Sequence, residues 1–113
     1  MRELGFSRNW GNKLNADAWT TFRFKRKDKD WQAGETVRIV MSPRSKKRQV
    51  LCVATIMTKE ARYASEISDS EAIIDGFDNR EEMERALLNM HGLDRCDNEP
   101  LYKYTLKRTK EMI

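Results

Sequence analysis

The segment Arg48 to Thr58, RQVLCVATIMT, constrains the fold more than any other part of the chain. It is nearly continuously apolar and long for a strand. A strand of that length bends or bulges and serves two sheet edges, as in a small barrel. Its neighbours fit such a barrel. Thr36 to Met41, TVRIVM, alternates so that Val37, Ile39 and Met41 share one side and Arg38 faces the other. The basic stretch Pro43 to Lys47 links the two as a hairpin loop. Trp19 to Phe24 is aromatic and β-branched with alternation, and reads as a further strand. Arg2 to Ser7 predicts a short strand, and Leu101 to Lys107, LYKYTLK, a closing one.

The pattern changes between these last elements. Asn9 to Asn15 reads as a turn or single helical turn, with Trp10 and Leu14 on one face. Ser68 to Glu71 fits a capping box that opens a short helix ended by Gly76. Asp78 to Glu81 repeats the capping pattern. Met83, Ala86, Leu87 and Met90 then follow at helical spacing as far as the stop at Gly92. The expected architecture is a single α+β domain over residues 1–113. It is a small mixed β-barrel of five to six strands with two or three short helices on its side. A tail from about residue 109 is expected to be loose.

Charge is distributed unevenly. Residues 1–59 carry 14 Lys/Arg against 5 Asp/Glu, and residues 60–113 carry 8 against 13. A basic face for a polyanion and an acidic face elsewhere follow from that asymmetry. The basic residues gather in two places. Arg23, Lys25, Arg26, Lys27 and Lys29 lie between Trp19 and Trp31, and Arg44, Lys46, Lys47 and Arg48 lie in the hairpin loop. Together they could flank one groove. Trp10, Trp19 and Trp31 could stack on bases or fill the core. His91 with Cys96 lacks the second ligand pair of a zinc site. No metal or cofactor is expected. Cys52 reads as a core residue, and Cys96 falls in the polar stretch DRCDNE, read as a loop. No apolar run approaches the roughly 20 residues that span a bilayer. The first ten residues lack the apolar region of a signal peptide, so a cytoplasmic location without membrane contact is expected.

The segment Glu66 to Leu87, EISDSEAIIDGFDNREEMERAL, resembles the signature of the ASCH family of PUA-like barrels. The specific residues are Ile67-Ser68-Asp69, Ala72 and Asp75-Gly76-Phe77 ahead of a capped helix. Upstream, Thr20-Thr21-Phe22-Arg23 is similar to the family's hydroxyl-rich strand ending in arginine, followed by the turn Ala33-Gly34-Glu35. The resemblance implies a cleft between barrel and helices. It implies binding of RNA or a nucleotide, with a base in the cleft near Trp19, Thr20, Thr21, Arg23 and Asp75; the basic clusters, with Lys25, Arg26, Lys27, Arg44, Lys46 and Lys47, would then hold the phosphate chain. It also implies an alternative, hydrolysis of the N4-acetyl group of N4-acetylcytidine, or ribonuclease action, with Thr21 and Asp75 as catalytic residues.

The family's lysine stands three residues before that threonine, and here the position holds Ala18. Lys13 or Lys25 would have to replace it. On that departure, binding is expected rather than catalysis. A third reading is a protein-interaction modulator that works through the acidic C-terminal half.

Overall fold

The computed structural model describes residues 1–109, apart from the Trp10 side chain. Among the described residues there are five strands: β1 Glu3–Phe6, β2 Ala18–Phe24, β3 Thr36–Met41, β4 Gln49–Arg62 and β5 Leu101–Arg108. They form one sheet in the order β1-β3-β4-β5-β2. β1 runs parallel to β3, and every other pairing is antiparallel. β4 is the spine. Its first half pairs with β3 and its second half with β5. The register shifts twice, at Ile39/Val40 opposite the start of β4 and at Ile56/Thr58 where β4 passes from β3 to β5. Such bulges bend a strand and raise its twist, and the sheet curls into a half-barrel. β1 and β2 are the two edges, and they meet across an open seam.

Three helices cover one outer face: α1 Asp69–Ile74, α2 Arg80–His91 and α3 Leu93–Asn98. Ser68 Oγ accepts from the Glu71 N–H, and Glu71 Oε1 accepts from the Ser68 N–H, so the capping box closes in both directions. α2 is capped by Asn79, which accepts from the Glu82 N–H at 2.9 Å. Gly92 ends it with φ +86°.

Alternation along β2 sorts side chains into two cores. Trp19 packs inside the curl with Leu4, Phe6, Ile39, Ile56 and Tyr104. Phe22 and Phe24 point the other way, onto Phe77, Met83, Leu87 and Cys96. Burying each of these phenylalanines stabilises the helix layer by ~2 kcal/mol.

Two expectations need correction. The stretch around Cys96 is helix α3 rather than a loop, and Cys96 is buried under it, in contact with Leu87 O. Met90 continues the spacing of Met83 and Leu87 but is 56% exposed, because the last turn of α2 runs past the core. The described chain runs through β5 to Thr109, where the tail expected to be loose begins. Arg108 belongs to β5, its guanidinium donates to Leu14 O at 2.5 Å, and Thr109 N–H donates to Val53 O at 2.9 Å. The rest of the expected loose tail, residues 110–113, lies outside the described residues. Of the two places open to it, Trp31 takes the barrel core, with Arg2 stacked over it at 4.0 Å.

Candidate functional site

The seam between β1 and β2 is where side chains, instead of ladder hydrogen bonds, connect the two edges. Arg23, on β2, reaches across to Gly5 O of β1 at 2.6 Å and lies over the Phe6 ring at 4.7 Å. Lys13 comes from the 3₁₀ segment Trp10–Asn15 and closes the seam one step further along. Its ammonium donates to Thr20 O at 2.8 Å and to Asp75 Oδ1 at 3.1 Å. It also faces Phe6, 5.5 Å from the ring centre. Thr20 Oγ1 donates to the same Asp75 oxygen at 3.0 Å.

Local backbone geometry brings these distant residues together. Gly11 and Asn12 adopt left-handed φ values of 56° and 57°, which bends the 3₁₀ segment toward the sheet. A Cβ on Gly11 would lie 2.8 Å from the Gly76 Cα and carbonyl oxygen. Only glycine permits that approach. Asp75 caps the C-terminus of α1, and Gly76 turns the chain with φ +106°. The contact of Gly11 with Gly76 therefore sets Lys13 beside Asp75.

The pair is almost sealed from water, with side-chain exposures of 5% and 6%. Burial pushes the Lys13 ammonium down from the usual lysine range, against the opposing pull of Asp75. Burial also pushes the Asp75 carboxyl up, opposed by Lys13 and Thr20. Both shifts favour the neutral forms and narrow the difference in proton affinity between the two groups. Arg23 is lowered to about 10, first by burial. Asp75 Oδ1 receives both hydrogen bonds, leaving Oδ2 uncommitted in a residue that lines the neighbouring cavity.

That cavity has a volume of about 390 Å³, within the range of small-molecule sites. Lys13, Thr21, Arg23 and Asp75 are among its polar lining residues, and Phe24, Phe77, Leu87 and Met90 among its apolar ones. Thr21 Oγ1 accepts from Arg23 Nε at 3.4 Å. At the rim the Phe24 ring is covered by Arg95 at 4.2 Å and met edge-on by His91. His91 is lowered by partial burial and by Arg95, so its charge does not serve the end of α2 as a free cation would.

The expected site residues divide accordingly. Thr21, Arg23, Arg26 and Asp75 line the cavity. Thr20 is buried behind it and bonds Asp75. Trp19, expected in the cleft, is 2% exposed in the barrel core, and its Nε1 has no hydrogen-bond partner. Lys25, Lys27, Lys46 and Lys47 are exposed and line neither the cavity nor the groove beside it. Arg44 lines that groove together with Arg23 and Arg26.

Ala18 is exposed at the start of β2, and the lysine that lines the cavity beside Asp75 is Lys13. Linear spacing to the threonine could not locate it. The available signal was a lysine following the flexible pair Gly11-Asn12 immediately before the hydroxyl strand. Among the described residues no cluster of His, Cys, Asp and Glu fits a metal ion, and no helix is long and apolar enough to cross a membrane. Comparison with known protein families, curated proteins and solved structures finds no match to this chain.

Proposed function

We propose that this chain is a PUA-like domain of ASCH type whose cavity takes an acylated cytidine and hydrolyses the amide on its N4. The observation that carries this reading is the buried contact of Lys13 with Asp75, at the wall of a cavity that Thr21 also lines. The resemblance asks for a lysine, a threonine and a carboxylate in one cleft. Lys13, Thr21 and Asp75 supply that set, with aspartate in place of glutamate.

In the proposed reaction Thr21 Oγ1 attacks the acyl carbon. Its proton is taken up by the Lys13–Asp75 pair and delivered to N4 as the C–N bond breaks. Arg23 and the Lys13 ammonium offer positive charge to the developing oxyanion. Water then cleaves the acyl-threonine ester, releasing the carboxylic acid and restoring the hydroxyl. Thr20 positions Asp75 and does not touch the substrate.

A second reading is nucleotide binding without turnover. It is favoured by the way Lys13, Asp75 and Thr20 satisfy one another, as a purely structural ion pair would. Loss of the N4-acetylcytidine absorbance separates the two readings. Wild-type turnover that disappears in Thr21→Ala and in Lys13→Met supports hydrolysis. Retained affinity for cytidine with no turnover of any N4-acylated cytidine leaves the binding reading.

A further inference from the structure

The cavity does not end at its polar rim. A groove of about 730 Å³ continues from it and shares Gly5, Phe6, Ser7, Arg23 and Arg26 with the cavity lining. Its far wall is the turn Ser42 to Ser45 between β3 and β4. The turn is held against β1 by the Ser42 N–H donating to Phe6 O at 2.8 Å, and it closes through the Ser45 N–H donating to Ser42 O at 3.1 Å. Ser42 itself adopts φ +52°, which fixes the direction of the following residues.

The groove is lined by three arginines, three serines and one carboxylate. The carboxylate, Glu3, is already neutralised by Arg48 and by Arg38. Arg23 is committed to Gly5 O, and Arg26 is paired with Asp28. Arg44 has no hydrogen bond or ion pair among the described residues and stands exposed at the groove's edge. Ser7 and Ser42 make no side-chain hydrogen bond there. A wall of serine hydroxyls with a free guanidinium, opening into a cavity of nucleoside size, suits the oxygens of a phosphate ester.

We propose that this groove holds a phosphate attached to the nucleoside whose base occupies the cavity, so that the ligand is a phosphorylated cytidine rather than the free nucleoside. Arg44 is its main contact, Arg26 joins it at the junction of cavity and groove, and the serine hydroxyls complete the set. The placement rests on the cavity being a nucleoside site, but not on any reaction occurring there. The phosphate can belong to a mononucleotide or to an RNA strand. The exposed lysines beside both loops add a diffuse attraction that a strand would use more than a mononucleotide.

Calorimetric titration of the full chain with cytidine, cytidine 5′-monophosphate and 3′-monophosphate, and a short single-stranded oligocytidine tests this. At about 50 mM salt, one of the monophosphates is expected to bind about tenfold more tightly than cytidine. That advantage should shrink toward unity at about 500 mM salt, and in both Arg44→Ala and Arg44→Glu. A further strong gain for the oligonucleotide assigns the phosphate to a strand, and equal affinity for mononucleotide and oligonucleotide assigns it to a free nucleotide. Equal affinity for cytidine and both monophosphates overturns the proposal, as does a phosphate advantage that survives Arg44→Glu. Because binding is read directly, absence of deacylation would count against the hydrolytic reading and leave this result standing.

Discussion

Two ion pairs flank the same cavity and differ in almost every physical respect. Lys13–Asp75 is sealed, with 5% and 6% of the side chains exposed, and joins residues 62 positions apart. Arg26–Asp28 is open, with 44% and 68% exposed, and joins residues two positions apart. The open pair keeps its water and tunes the local charge. The sealed pair has lost its water, is destabilised in its charged form on both sides, and persists because each member is the other's partner. A charge pair so placed contributes little to stability while it is intact and becomes very costly when half of it is removed. Such a pair is worth keeping where its proton is useful.

The strongest way to break this contrast is Lys13→Met. It leaves Asp75 buried with only Thr20 as a partner, and is expected to cost about 4 kcal/mol of stability at neutral pH. The sign of the pH dependence is fixed. The Asp75 carboxyl is already raised in the folded state, and losing Lys13 raises it further. The folded variant therefore binds a proton more tightly than the unfolded chain does. Stability is recovered as pH falls through the folded value toward the ordinary aspartate range, and is lost again as pH rises. Urea unfolding at several pH values checks this. The double change Lys13→Met with Asp75→Leu removes both charges and is expected to lie within about 1 kcal/mol of wild type, with no turnover.

Gly11→Ala tests how the sealed pair is assembled. The new methyl would meet the Gly76 backbone at 2.8 Å, in a left-handed conformation. The expected cost is on the order of 3 kcal/mol, from strain and from displacement of the 3₁₀ segment. A structural consequence should accompany it, because withdrawing that segment pulls Lys13 off Asp75. Unchanged melting and unchanged turnover would show that the close approach of the two glycines does not position the lysine.

A smaller effect is expected from Thr20→Val, which keeps shape and removes one hydrogen bond to Asp75. The cost should be about 1–2 kcal/mol. The more telling readout is the pH–rate profile. With less stabilisation of its ionised form, the carboxyl titrates higher, and the limb of the profile governed by it should move to higher pH. A purely structural threonine would lower stability without moving that limb.

Much of the frame was legible in the sequence because it is written in local patterns. The capping box at Ser68, the stop at Gly92 and the alternation of Thr36 to Met41 each depend on a few adjacent residues, and each is present. The long apolar run from Gln49 showed that one strand would serve two neighbours. Asp75 and Thr21 were identified as site residues from their motif and do line the cavity. Lys13 could not be chosen over Lys25 from the sequence, because its position depends on a tertiary contact between two glycines 65 residues apart. α3 escaped notice because Leu93 to Asn98 is short and polar, and only Cys96 is buried. Trp19 was placed in the cleft by the resemblance, but an indole on the inward face of a curled sheet fills the core instead.

The least costly change sharpens the comparison from its other side. Asp28→Ala removes a carboxylate whose pKa is held low chiefly by its hydrogen bond from Arg26. Its side chain is open to solvent, so no measurable change in melting temperature is expected. Yet Arg26 lines both the cavity and the groove beside it, and the substitution frees its guanidinium. Affinity for a cytidine monophosphate at low salt should therefore rise, by about threefold, and the gain should vanish as salt screens the site. A rise in affinity without a change in stability would show that the exposed pair sets the charge at the cavity mouth while the buried pair holds its wall. A fall in affinity would mean that Asp28 aims Arg26 at the ligand, and that the exposed pair too is held in place for its geometry.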